Sequence, residues 1–341
     1  MIPPEKIAAV SQALQEAFAV RDFESIEQMT RGLSPDLVFR IVVKGTPYLL
    51  RTITRINEQT NPARHFRAMK IAAEGGVAPR VRYASVEDGV SITDFVEPVP
   101  LSVAEARVRV PRLLRRLHAL APFPNAFNYV MAHKGFIWRL RKAGLLPADA
   151  VEEVFSRYER VCAVYPRMDA DMVSSHSDLK PENILFDGER VWLVDWQAAF
   201  VNDRYFDLSV VANFIVTNDE EESAFLREYF GQAADEDQRA RFFLMRQVVH
   251  MFYAAVFLML GSGGKPVDLS GNVPSFREFH ERIWGGEISL AGNEMRIVYA
   301  RVHWAQLPEN MQSPRFEEAL RIVTERHAGQ EKPTRLLQPG A

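Results

Sequence analysis

Between Pro3 and Val20, Ile7, Val10, Leu14 and Phe18 recur at helical intervals and predict an amphipathic leading helix that should pack on the elements after it. Leu37 to Val43 and Pro47 to Thr52 are β-rich runs joined by Lys44-Gly45-Thr46, a hairpin by composition. Asn61 to Ala73 reads as a helix that Gly75-Gly76 terminates, and Val81 to Ala84 and Val90 to Phe95 read as further short strands. From Leu101 onward long helical patterns dominate. They are interrupted by two short apolar runs, Ile184 to Phe186 and Val191 to Val194, on either side of Asp187-Gly188-Glu189-Arg190, a second hairpin signal. The pattern is α+β: a strand-rich part over residues 1–97, a mostly helical part over 98–328, and a loose tail over 329–341. Pro98 and Pro100 stiffen the connector between the first two.

Composition narrows the class. At 341 residues, with 47% apolar and 25% charged positions, the chain has the make-up of an ordinary globular protein and is long enough for two lobes. A net charge of −3 and a pI near 6.3 give no electrostatic reason to expect DNA or RNA. The arginines from Arg107 to Arg116 lie on the helix predicted over Leu101–Leu120 and read as a solvated face. With Cys162 as the only cysteine, neither an intrachain disulfide nor a cysteine metal cluster can form. The start, Met1 to Glu5, lacks the segments of a secretory signal, and the longest apolar run, Met251 to Leu260, is too short for a bilayer. The expectation is a cytoplasmic protein without a membrane partner.

The chemistry concentrates in His176-Ser177-Asp178-Leu179-Lys180-Pro181-Glu182-Asn183, followed twelve residues later by Asp195. An aspartate, an asparagine and a second aspartate are what phosphoryl transfer needs: one group orients or deprotonates a hydroxyl, and two oxygens hold magnesium. The predicted hairpin returns the chain so that Asp195, after its second strand, lies near Asn183, before its first. Magnesium prefers few protein oxygens plus phosphate and water, so Asn183 and Asp195 suffice as metal ligands when ATP supplies the rest.

These residues resemble the kinase-like small-molecule phosphotransferases, the aminoglycoside phosphotransferase and choline kinase superfamily. Leu193-Val194-Asp195-Trp196-Gln197 looks like its metal-binding motif, and Asn202 to Leu208 like its following aspartate-leucine segment. Protein kinases share the loop, but Asp195 is followed by Trp196-Gln197 and no Ala-Pro-Glu segment follows. The resemblance implies a bilobal kinase-like fold, a small antiparallel sheet lobe with one main helix and a larger helical lobe, using ATP and Mg2+. It implies Asp178 as the group acting on the acceptor hydroxyl, Lys180 as added charge near the γ-phosphate, and His176 and Asp207 as braces of the loop. Arg51 becomes the phosphate clamp, Gly32 and Ser34 part of the phosphate-covering loop, and Phe95, Val96 and Glu97 part of the hinge that meets the purine. Two positions depart from the pattern: Pro35 follows Ser34 where an asparagine is common, and His65 stands where relatives pair the clamp with a glutamate, with Glu58 as an alternative.

The acceptor is a small molecule whose pocket the superfamily builds from C-terminal helices. Those helices offer acids and aromatics, among them Asp203 and Trp304, which suit a cation. Arg51, Asn202-Asp203 and Phe252 to Phe257 tilt the reading toward a choline- or ethanolamine-like amino alcohol. Aminoglycosides and other metabolites stay open, because a shared fold does not fix the substrate. A nucleotide-binding pseudokinase scaffold is the reading from another class.

Overall fold

The computed structural model describes residues 2–29, 36–54, 62–124, 135, 137–140, 142–146, 148–166, 168–269 and 271–328. It divides into two compact units, one made of 1–102, 113–126 and 174–201, the other of 103–112, 127–173 and 202–341.

The first unit is built on an antiparallel sheet in the order β1-β2-β3-β5-β4, with β1 Ser25–Met29, β2 Leu37–Val43, β3 Thr46–Thr52, β4 Val81–Ser85 and β5 Val90–Asp94. Phe39, Ile41 and Val43 alternate toward one face of β2 and meet Leu50, Val90 and Ile92. Helix α1, Ile7–Phe18, closes that face with Val10, Ala13 and Leu14, as its spacing predicted, and ends where Ala19 turns left-handed at φ 57°. The β2–β3 turn consists of Lys44 and Gly45 with φ 50° and 73°, the paired left-handed conformation that suits a two-residue hairpin. Helix α2, Pro62–Glu74, stops before Gly76 at φ 67°. The edge strand β1 is exposed along nearly all its length, so no apolar alternation announced it in the sequence.

The segment 174–201 is compact with this unit, although it follows the proline connector by seventy-odd residues. Backbone bonds account for that. The hairpin of β7, Ile184–Phe186, and β8, Val191–Leu193, receives Val99 N–H at Phe186 O (2.7 Å), and Leu193 N–H donates to Val77 O (2.9 Å). Arg190 and Arg116 both donate to Gly76 O at 3.1 Å. Helix α3, Val103–Leu117, precedes that segment, and short strands β6, Met172–Ser175, and β9, Phe200–Asp203, flank it.

The second unit is helical: α4 Ala148–Val164, α5 Arg204–Ile215, α6 Asp219–Phe230, α7 Glu236–Gly261, α8 Phe276–Trp284, α9 Asn293–Met311 and α10 Pro314–Arg326. Helix α7 is its axis, packed by α5, α9 and α10 and opened by a capping box between Asp235 and Gln238. At 26 residues it is the one helix among those described long and apolar enough to cross a membrane. It far exceeds the uninterrupted run Met251–Leu260, and 67% of its most apolar window is buried in the fold. Aromatic rings of α7, α8 and α9 pack around three buried histidines, His250, His280 and His303.

Candidate active site

Strand β6 ends at Ser175, and the chain then makes a tight loop in which Ser177 takes φ 62°. His176 is fully buried beneath it. Its Nε2 lies 2.9 Å from Val194 O and its Nδ1 faces Asp178 N–H at 3.4 Å, while its ring rests on Trp196 at 4.7 Å. The two contacts fit a neutral ring with the proton on Nε2. That ring joins the loop to the strand before Asp195.

Asp178 keeps a side chain that is more open than that of Lys180. Its carboxylate accepts from Asn183 Nδ2 at 3.0 Å and lies 3.4 Å from Lys180 Nζ. Asn183, buried, also sends Nδ2–H to Asp178 O at 2.8 Å, so both amide hydrogens are spent on Asp178 and its side-chain oxygen is the atom left for a cation. Val194 N–H donates to Asn183 O at 3.1 Å, which holds Asp195 next to Asn183 as the hairpin required. Burial alone would lower the affinity of Lys180 for its proton, yet Asp178, Asp195 and Glu182 raise it, so the ammonium is secure.

Asp195 sits at φ 67°, a left-handed conformation unusual outside glycine. Burial pushes its carboxyl up, but Arg51 outweighs burial and holds it down at about 2. Arg51, on β3 opposite Val38 of β2, places Nη1 2.9 Å from Asp195 Oδ1 and 3.6 Å from Asp36 Oδ2. A permanently ionised carboxylate and an amide oxygen, side by side, are hard donors that fit magnesium. Among the described residues there is no cluster of three or more His, Cys, Asp or Glu side chains able to hold a metal without such help.

His65 of α2 is the buried neighbour of this pair. Burial and the Arg51 guanidinium lower it to about 3, so the ring is neutral and cannot balance Arg51. Glu58, the other candidate, lies outside the described residues, as do Gly32 and Ser34. The second carboxylate that approaches Arg51, after Asp195, is Asp36, which the sequence did not single out. Phe95, Val96 and Glu97 follow β5 in an irregular stretch, with the Phe95 ring under the Arg40 guanidinium at 5.3 Å.

In the second unit, Asp203 and Trp304, read from sequence as acceptor candidates, are built into the fold. Asp203 caps α5 by accepting Tyr205 N–H at 2.8 Å and faces Arg241 at 3.6 Å. Burial pushes its carboxyl up to about 6 against the pull of Arg241. Trp304, buried, sets its ring edge-on to Phe155 at 5.8 Å. An acid plus an aromatic reads the same in sequence whether it binds a cation or completes a core. Asp207 is fully buried in the first turn of α5.

The sequence profile of the phosphotransferase enzyme family matches residues 25–243. The chain is similar to the protein LicA of Haemophilus influenzae, at 24% identity over 190 residues that cover 50% of this chain; it spans about half, 52%, of that curated relative. Its fold is similar to a choline/ethanolamine kinase family protein from Mesorhizobium loti, with a TM-score of 0.65 and 23% identity over 94% of this chain and 99% of the other. A streptomycin–ATP–APH(2″)-IIa ternary complex is similar at a TM-score of 0.54 and 14% identity over 74% of this chain and 90% of the other.

Proposed function

Because the chain belongs to the phosphotransferase enzyme family, we propose that it moves the γ-phosphate of ATP to a hydroxyl of a small cationic molecule, with a choline- or ethanolamine-like amino alcohol favoured. The observation that carries this reading is the contact chain Lys180–Asp178–Asn183 beside Asp195–Arg51, which brings every charge the transfer needs within a few bonds. The names of the relatives, LicA and a choline/ethanolamine kinase family protein, support the amino alcohol.

Asp178 accepts the acceptor hydroxyl's proton or aims that hydroxyl at the γ-phosphorus. Asn183 Oδ1 and Asp195 are the residues that would hold magnesium, with Arg51 as the clamp on the phosphates. Magnesium ATP, when bound, supplies the transferable phosphoryl group and the cation that offsets its charge. Lys180 adds positive charge beside Asp178, His176 keeps the loop in shape, and Asp207 supports it. Gly32 and Ser34 would cover the phosphates and Phe95 to Glu97 would meet the purine. A pseudokinase scaffold is disfavoured because Asp178, Asn183 and Asp195 are all present.

Magnesium-dependent ATP consumption, measured against amino alcohols, aminoglycosides, sugars and proteins, tests this. Stimulation by an amino alcohol supports the reading. Intact ATP binding with no stimulation by any acceptor replaces it with a scaffold.

A further inference from the structure

Arg51 faces a conflict that its closest partner, Asp195, does not resolve. Its Nη1 hydrogen-bonds Asp195, the same carboxylate that would serve magnesium. When Asp195 turns to a cation, the guanidinium loses its closest anion, and a flexible arginine side chain without an anchor carries rotamer entropy that phosphate binding must overcome. The next-helix position, where an acidic partner was expected, holds His65, neutral and buried.

We infer that Asp36 is the positioning carboxylate of Arg51, holding the guanidinium in its clamping orientation while Asp195 serves the metal. Asp36 lies one residue before β2, and β2 is the register partner of the strand that carries Arg51, so the backbone fixes both ends of the pair. Its side chain is 2% exposed and 3.6 Å from Arg51 Nη1, an ion pair without a direct hydrogen bond to that atom. A carboxylate so far removed from water is costly unless a cation faces it, and Arg51 is a cation within reach. The far side is fixed too. Gln197 Nε2 donates to Asp36 Oδ2 at 2.5 Å, and Gln197 O accepts from Arg64 of α2 at 2.8 Å. Gln197 is two residues past Asp195, so Asp36 ties the clamp to the metal-binding segment from a third point in the sequence.

The inference rests on the reading of this site as one for magnesium ATP. Its test is calorimetric binding of Mg–ATP and of adenosine to the wild type, Asp36→Asn, Arg51→Ala and the double variant. Asn keeps the acceptor for Gln197 and removes the charge, and thermal midpoints verify that each variant folds. Asp36→Asn is expected to weaken Mg–ATP about tenfold and leave adenosine unchanged. In the Arg51→Ala background it should cost nothing further, since the two act as one unit. Asp36→Glu should recover part of the loss. Unchanged or tighter Mg–ATP binding by Asp36→Asn overturns the inference, as does an equal loss for adenosine and ATP or an undiminished effect without Arg51. A wild type that does not bind Mg–ATP fails the function reading itself, and the inference with it.

Discussion

Asp178 and Asp195 are seventeen positions apart in sequence and carry different roles, and the structure treats them differently. Asp195 is drawn into a left-handed backbone and held ionised by Arg51, while Asp178 keeps a side chain that is 36% exposed and bonded only within its own loop. Asp178→Asn therefore removes a proton acceptor without opening a cavity or stranding a buried charge. Its kcat should fall by roughly 10²- to 10⁴-fold, the usual worth of a positioned general base, with Mg–ATP affinity and thermal midpoint close to wild type. Retention of more than about a tenth of the turnover would remove Asp178 from the role of base. Asn183→Ala should behave otherwise: with the amide oxygen gone, the magnesium concentration needed for half-maximal turnover rises, while at saturating metal part of the rate returns. These residues were legible in the sequence because they sit in one short motif whose spacing carries the geometry. Asp36 was not, because its place beside Arg51 arises from β2–β3 register and its bond from Gln197, 161 positions away.

Helix α1 was the plainest element in the sequence, and its apolar stripe is the lid of the core formed by β2, β3 and β5. Leu14 is 1% exposed among Phe39, Ile41 and Ile92, so Leu14→Ala should destabilise the first unit by about 2–5 kcal/mol, read as a lower denaturant midpoint with little change in slope. A loss under about 0.5 kcal/mol would mean that α1 is only loosely docked. The same pattern logic failed for β1, exposed along nearly its whole length, and for β6 and β9, four residues each. A two-residue period needs one buried face and several repeats to be visible. Chain order misled in another way. The hairpin of β7 and β8 was assigned to the helical part by position, whereas bonds from Val99 and to Val77 join it to the sheet unit. Trp304 and Asp203 looked like a cation pocket for a related reason: composition reports residue types, and only packing reports which way they are spent.

Over the whole molecule, the buried histidines set how the fold responds to acid. His250, His280 and His303 are enclosed by α7, α8 and α9, with His250 Nδ1 and His303 Nδ1 3.0 Å apart, so one ring donates and the other accepts and neither is charged. Burial lowers all three, joined by the Arg246 guanidinium for His250 and His280 and by the neighbouring rings for His303. His280 falls to about 3, and His65 in the first unit falls to the same value. The folded chain thus binds fewer protons than the unfolded chain once the pH drops below about 6.5, the ordinary histidine value, and stability must fall as pH falls. The contribution is fully present above that value and is lost toward about 3 for His280 and His65. Each such ring costs up to about 1.4 kcal/mol per pH unit in this window, offset in part by Asp203, whose carboxyl, pushed up to about 6, takes a proton in the fold before it does in the unfolded chain. Denaturant midpoints at pH 7.5, 6.5, 5.5 and 4.5 should fall slightly over the first step and more steeply over the next two. His303→Phe, which leaves an aromatic ring in place, should make the drop below pH 6.5 shallower whatever it does to stability at neutral pH. A flat profile from pH 7 to 5 would show that the three rings are charged in the fold or open to water, and the packing described around α7 would have to be wrong.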